Sequence, residues 1–298
     1  MKLRVGLISR TFFNVPFWSA LDNGLFAPAG LEVDSEVFNS GSTATDALRR
    51  GDVQFTIGSP DGALHDLAEG GTLRIVAGNT STLSHFLIAQ ARFRTIEELR
   101  GASIGCLSPD EGTTFVIQDM LSRHGLHYPD DYTLDFVGGA PTRWTLLREG
   151  RIDAGLQSIP LSYMAEDAGF SNLAATTDYI PAYQFTTVNA DGSWCAAHAK
   201  TATGFLAALL RATAWMYANR DAAAAVAARE MGITRDYAGR AWDDFTGRGI
   251  MPMTMSVSEA GIAKVAELMA RGGVLSDKAA AGCLEAVDLR YLRAVGGR

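Results

Sequence analysis

The sequence predicts an α/β fold built on parallel strand pairs, and three observations carry that prediction. Short apolar runs alternate with helix-forming segments from the N-terminus to about residue 190. Most runs end in a small polar or glycine-containing turn, the punctuation expected between strand and helix. Beyond about residue 190 the strand rhythm stops and Ala-rich, helix-forming sequence takes over. With 298 residues, 47% of them hydrophobic and 20% charged, the chain is long enough for about two domains and can bury sizeable cores.

Taken in order, Leu3–Ser9 reads as a buried strand bounded by polar residues. Pro16 suits a first helical turn, and Asn23-Gly24 provides the stop. Leu31–Phe38 is a second strand, followed by the polar turn Asn39-Ser40-Gly41-Ser42-Thr43 and a helix that ends at Gly51. Val53–Ile57 is a third strand; Gly58-Ser59-Pro60-Asp61 opens the next helix, and Leu73–Ala77 is a fourth strand. A second series begins with strand His85–Gln90 and a short helix over Thr95–Arg100, with Thr95 as cap and Glu98 three residues on. It continues with strands Ala102–Leu107, Tyr132–Val137 and Ile152–Gln157, each leading through a polar loop to a helix. Helices are expected across Ala197–Arg229, Arg235–Phe245, Ser258–Arg271 and Ser276–Leu289. In the first of these, Phe205, Leu206, Leu209, Leu210, Thr213 and Met216 recur at helical spacing and read as core.

Composition excludes several functions. Lys and Arg number 26 against 33 Asp and Glu, a net charge of −7, which argues against a nucleic-acid binder. No apolar run approaches the ~20 residues of a membrane span. The N-terminus enters its first strand without the ~7–15-residue apolar stretch of a secretory leader. As written the chain is therefore expected in the cytoplasm, or in the periplasm if a leader precedes it. Cys106, Cys195 and Cys283 are widely spaced and show no metal-binding pattern. No P-loop, dinucleotide fingerprint, HExxH or Gly-x-Ser-x-Gly elbow occurs, so neither metal nor cofactor is expected.

Four segments, in order, resemble one family. Pro16–Val33 (PFWSALDNGLFAPAGLEV) is similar to a signature matched here by Gly24, Phe26, Gly30, Leu31 and Val33. Gly41–Phe55 (GSTATDALRRGDVQF), Leu99–Gly112 (LRGASIGCLSPDEG) and Leu147–Ala154 (LREGRIDA) resemble its later segments. The family is the type II periplasmic-binding-protein fold, in its nitrate/sulfonate/taurine and thiamine-pyrimidine-precursor branch. The resemblance implies two lobes, each a mixed sheet flanked by helices, with a ligand cleft between them. Lobe I would hold residues 1–84 and 189–298, and lobe II residues 85–188. It further implies a monomeric solute-binding protein that hands a small-molecule ligand to an ABC-transporter permease.

The residues themselves mark candidate ligand contacts, because in open α/β sheets ligands bind outside the carboxyl ends of the strands. From the first half come Arg10, Phe12, Trp18, Ser40, Ser42, Thr43, Ser59 and Asp61. Arg10 reads as a fork for a carboxylate or sulfonate, and Phe12 and Trp18 as an apolar wall; a surface arginine and core aromatics are the plain alternatives. From the second half come His85, Ser108, Glu111, Thr113, Thr114, Thr142, Arg143 and Gln157. Arginines and hydroxyls suit an anion, whereas Asp61 and Glu111 suit an amine or protonated heterocycle, so the sequence leaves the ligand's charge open. Some relatives of this fold are enzymes, and a decarboxylase-like activity is the alternative function, with His85 or Glu111 as acid/base. A cytoplasmic ligand sensor is a third. The cysteine-rich motif of the iron-dependent pyrimidine synthases is absent: Gly192-Ser193-Trp194-Cys195-Ala196 holds one thiol.

Overall fold

The computed structural model describes residues 1–38 and 40–297, so Asn39 of the expected polar turn lies outside the described residues. The chain forms two compact units, Met1–Thr82 with Ala182–Arg298, and Leu83–Pro181.

Unit 1 is built on five strands: β1 (Lys2–Ile8), β2 (Glu32–Phe38), β3 (Phe55–Gly58), β4 (Leu73–Thr80) and, from the returning chain, β10 (Thr186–Asp191). Their order is β2-β1-β3-β10-β4. β1 runs parallel to β2 and β3, whereas β10 is antiparallel to β3 and β4. Unit 2 repeats the plan with β5 (His85–Ala89), β6 (Ser103–Cys106), β7 (Thr133–Phe136), β8 (Ala154–Ser158) and β9 (Ser171–Ala175), in the order β7-β6-β8-β5-β9. β6 runs parallel to β7 and β8, and β5 is antiparallel to β8 and β9. The two-lobed α/β architecture with mixed sheets is as the sequence predicts.

The helices carry the expected signals. In unit 1, α1 (Val15–Asp22) has proline in its first turn, and α2 (Gly41–Arg50) is capped by Ser40 and ends at Gly51 with φ 76°. α3 (Asp61–Ala68) follows Pro60. In unit 2, α4 (Gly112–Ser122), α5 (Ala140–Arg148) and α6 (Leu161–Asp167) follow β6, β7 and β8, and α7 (Thr176–Tyr179) follows β9. The C-terminal part of unit 1 adds α8 (Gly192–Ala197), α9 (Ala199–Ala218), α10 (Arg220–Met231), α11 (Arg235–Gly247) and α12 (Glu259–Arg271). In the core of unit 1, Phe205 of α9 stacks on Phe55 of β3 at 4.0 Å, and Phe26 stacks on Phe205 at 5.4 Å. Burying each such ring contributes roughly 1.5–3 kcal/mol. In unit 2, Trp144 and Leu147 of α5 pack with Ile88, Ile152 and Leu161.

Four local expectations are corrected. The stretch 197–229 is not one helix: it breaks at His198 and Asn219, where the Asn219 side chain donates to Trp215 O (2.8 Å) and competes with the helical ladder. Residues 276–289 form Asp277–Ala281 and a 3-10 turn, Cys283–Ala286, after which Val287 bridges to Ile75. Thr95 does not cap a helix; the segment tightens to a 3-10 turn, Glu97–Leu99, and Glu98 accepts from Arg94 N (2.6 Å). β9 was not read from the sequence, because SNLAA has neither alternation nor β-branched residues.

Candidate functional site

In unit 2 the parallel strands β6, β7 and β8 each end in a loop that opens a helix, and β5 starts at the same edge, with His85 opposite Ser158. Arg143, in the first turn of α5, is only 4% exposed. Its stem crosses the sheet where side chains are missing. A Cβ at Gly155 of β8 would lie 3.5 Å from Arg143 Cδ and 3.1 Å from Gly105 O, and one at Gly105 of β6 would lie 3.4 Å from Arg143 Cγ. The stem contacts are ordinary van der Waals distances; the tight approaches are to Gly105 O and, from a Cβ at Gly105, to Ile152 Cδ1 at 2.6 Å, so the two glycines let β6, β8 and the arginine stem pack closely together. The guanidinium then reaches the strand ends, where Nε donates to Leu156 O (3.1 Å) and Nη1 to Gly138 O (2.8 Å). Its Nη2 makes no hydrogen bond among the described residues. Burial draws the guanidinium pKa down, opposed by Cys106 and Glu111.

The groups around Arg143 define its chemistry. Glu111 is buried and caps α4, accepting from Thr113 N (3.1 Å) and from the Thr113 hydroxyl. Thr114 Oγ1 donates to Ser108 O (2.7 Å). Burial first, and the charge of Arg143 second, hold the His85 pKa at about 3, so its imidazole is neutral at physiological pH. Burial pushes the Cys106 thiol up to about 12, which leaves it a poor nucleophile. The hydroxyls of Ser84, Ser158 and Ser162 are buried with no hydrogen-bond partner among the described residues, a costly state unless a water or a polar ligand meets them. Thr142 is exposed beside Arg143. Gln157 is fully buried; its amide nitrogen faces Ala140 O (3.1 Å) and its oxygen faces Trp144 N (3.2 Å), so it holds α5 against β8.

In unit 1 the corresponding edge is made of hydroxyls and amides with one carboxylate, Asp61. Ser9, at the end of β1, has φ 66°, an unfavourable conformation for a side chain, and Asn14 Nδ2 holds its carbonyl (2.9 Å). Ser40 Oγ accepts from Thr43 N (3.2 Å) and lies 3.0 Å from the hydroxyls of both Ser42 and Thr43, the latter two exposed. Ser59 O accepts from Asn189 Nδ2 (3.1 Å), and Asp61 is buried at the start of α3. Asn79 Nδ2 donates to Phe13 O (3.0 Å) and to Thr186 Oγ1 (3.1 Å), and Thr80 and Thr186 join hydroxyls. Thr11 Oγ1 and Asn14 Oδ1 are buried and have no partner among the described residues.

Three expected contacts of unit 1 have other neighbours. Phe12 is fully buried against Phe245, with ring centroids at 4.7 Å, and belongs to the core. Arg10 pairs with Glu230 (2.8 Å), and with Trp18 it lines a hollow beside α1 rather than joining the strand-end groups. Sequence reading missed Asn14, Asn79, Thr186 and the glycines under Arg143. The polar ending of LRIVAGNT and the small residues inside β6 and β8 are the signals that mark them.

The family model described as "NMT1/THI5 like" matches residues 13–223, more than half of the chain. The chain belongs to the NMT1/THI5-like family. A curated relative from Brucella abortus, named only as a candidate binding protein, is 29% identical over 185 residues, 61% of this chain and 56% of its own. The match thus spans little more than half the length of that relative. Among solved structures, a Bordetella bronchiseptica protein superposes with a TM-score of 0.82 at 20% identity, covering 99% of this NMT1/THI5-like chain and 96% of its own. The alkanesulfonate-binding protein of Xanthomonas axonopodis, bound to MOPS, gives 0.78 at 17% identity, covering 96% and 98%. These likenesses establish the type II periplasmic-binding-protein fold.

Proposed function

We propose that this chain is a solute-binding protein that captures a small organic anion, a carboxylate, sulfonate or anionic heterocycle, and delivers it to an ABC transporter. The observation that carries the reading is Arg143, a buried guanidinium at the carboxyl end of the sheet of unit 2 with unspent N–H donors. A cationic fork in a desolvated setting is a strong, geometrically specific partner for an oxyanion. Its surroundings suit binding rather than chemistry, with a neutral imidazole, a high-pKa thiol and unpartnered serine hydroxyls. Capture by closure follows if strand-end loops of both units touch one ligand, because the closed form then gains contacts that the open form lacks. The alkanesulfonate-binding protein that shares the fold supports the anionic class.

The test is thermal unfolding of the full chain with a panel of carboxylates and sulfonates, MOPS included, each carboxylate paired with its neutral amide. The expected result is a saturable rise in Tm for some acids and none for the amides, shifted to about 10- to 100-fold higher concentration in Arg143→Gln. Equal shifts with acid and amide contradict an anion site, and consumption of a probe contradicts a pure binder.

A further inference from the structure

The two edges of the sheet of unit 1 are finished differently. At the β4 edge the chain covers itself. Gly78 N donates to Met255 O (2.8 Å), Ser81 N to Ile250 O (2.9 Å) and Asp288 N to Ile75 O (2.9 Å). The cover is so close that a Cβ at Gly78 would lie 2.0 Å from Ser256 O. At the opposite edge no described segment pairs with the outer side of β2. β2 holds unbroken parallel register with β1, from Lys2↔Glu32 to Ile8↔Phe38, with neither proline nor bulge. Glu32 N donates inward, to Met1 O (3.0 Å), so strand alternation turns the peptide groups of Val33, Ser35 and Val37 outward. The Ser35 amide is met only by the carboxylate of its neighbour Asp34 (2.8 Å), and Val37 is 40% exposed. A long, regular, open edge is a template for another strand.

Both faces beside this edge are hollow. On the α1 side a space of about 340 Å³ is lined by Leu7, Trp18, Leu21 and Val37, with Arg10 and Glu230 also lining it. On the α2 side a space of about 620 Å³ is lined by the carboxylates Glu32, Asp34 and Glu36, beside Lys2 and Arg4 and the Arg50–Asp52 pair (2.8 Å). A strand laid along β2 would send alternate side chains to these two faces.

We propose that the free edge of β2 docks an extended segment of a partner protein in which Lys or Arg alternates with apolar residues. Charge selects this occupant. Lys2 pairs with Glu32 (3.2 Å) and Arg4 with Glu36 (3.8 Å), whereas Asp34, at the centre of the strand, has no cation partner among the described residues. A second copy fits poorly, because antiparallel pairing of β2 with itself about Asp34 sets Asp34 against Asp34 and Glu32 against Glu36. Like charges directly opposed destabilise a strand pair, whereas opposite charges stabilise it. Apolar residues of the incoming segment would cover Val37 and enter the hollow floored by Leu7 and Trp18.

The test uses the full chain and fluorescein-labelled acetyl-Lys-Val-Lys-Val-Lys-Val-Lys-amide, read by fluorescence anisotropy, with the Glu-Val counterpart as control. The expected result is saturable binding of the lysine peptide, about tenfold tighter than its acidic counterpart and weakened by about 0.5 M salt. Ser35→Pro is expected to abolish binding; its missing N–H lies on the outer side and costs no ladder bond within the sheet. The double variant Asp34→Lys, Glu36→Lys leaves the backbone unchanged and is expected to reverse the peptide preference. Equal affinity for both peptides overturns the proposal, as does a preference unchanged in the double variant. Self-association of the chain that both substitutions abolish would assign the edge to a second copy instead.

Discussion

In unit 2 the strand ends hold a buried cation, Arg143, together with a buried carboxylate, Glu111, whereas in unit 1 they carry hydroxyls and amides with one carboxylate, Asp61. The second arrangement is self-sufficient over much of its extent: Asn79, Thr80, Thr186 and Asn189 satisfy one another or the backbone. Both units bury polar atoms that lack partners among the described residues, Thr11 Oγ1 and Asn14 Oδ1 in unit 1 and the hydroxyls of Ser84, Ser158 and Ser162 in unit 2, but unit 2 adds a buried guanidinium whose Nη2 is unspent. On the proposed function, charge recognition falls to unit 2.

The largest effect that would break this comparison is expected at Arg143. Arg143→Gln should lower affinity for an anionic probe by about 10- to 100-fold, the contribution of a hydrogen bond to a charged group, as read by titration calorimetry. A mere twofold loss would remove the distinction between the units. Next comes the cradle. Gly155→Val should displace the arginine stem and cost about 1–3 kcal/mol of stability by overpacking, with a weaker anion affinity measured on the folded protein. Urea unfolding separates the two effects.

A pH series sharpens the same contrast. The native His85 stays neutral down to about 3, whereas in the unfolded chain it protonates near its ordinary value of about 6.5. Between those values the unfolded state binds more protons, so the His85 contribution is fully present above about pH 6.5 and is lost as pH falls toward 3. His85→Gln should flatten the fall in urea midpoint between about pH 7 and pH 5. For unit 1, Thr11→Val removes a buried, unpartnered hydroxyl; Tm should hold or rise, while affinity drops by about fivefold if that hydroxyl meets the ligand. The smallest effect is chemical. Cys106 and Cys195, both pushed up to about 12 mainly by burial, should react with a thiol reagent only after unfolding.

The parallel strands and their capped helices were legible because each has a local signal: an apolar run, a polar turn, Ser40 before α2 or Gly51 after it. Arg143 was legible as a candidate from its position after Gly138-Gly139, but its burial was not, since that depends on how the pairing of β6 with β8 sets the sheet against α5. Arg10 and Phe12 show the converse. Both sit just after β1, as the pattern requires, yet Glu230 and Phe245, more than two hundred residues later, decide where they point. The open edge of β2 was invisible for the same reason, because strand order is a property of pairing and not of the strand itself.

Arg143 as the anchor for an anion is tested most directly by a crystal structure with whichever carboxylate or sulfonate raises Tm. The account predicts an oxyanion within hydrogen-bond distance of Arg143 Nη2, with a serine hydroxyl of unit 2 also engaged. Density for the probe elsewhere, for instance in the hollow beside Trp18, with Arg143 bound only to Leu156 and Gly138, would contradict it.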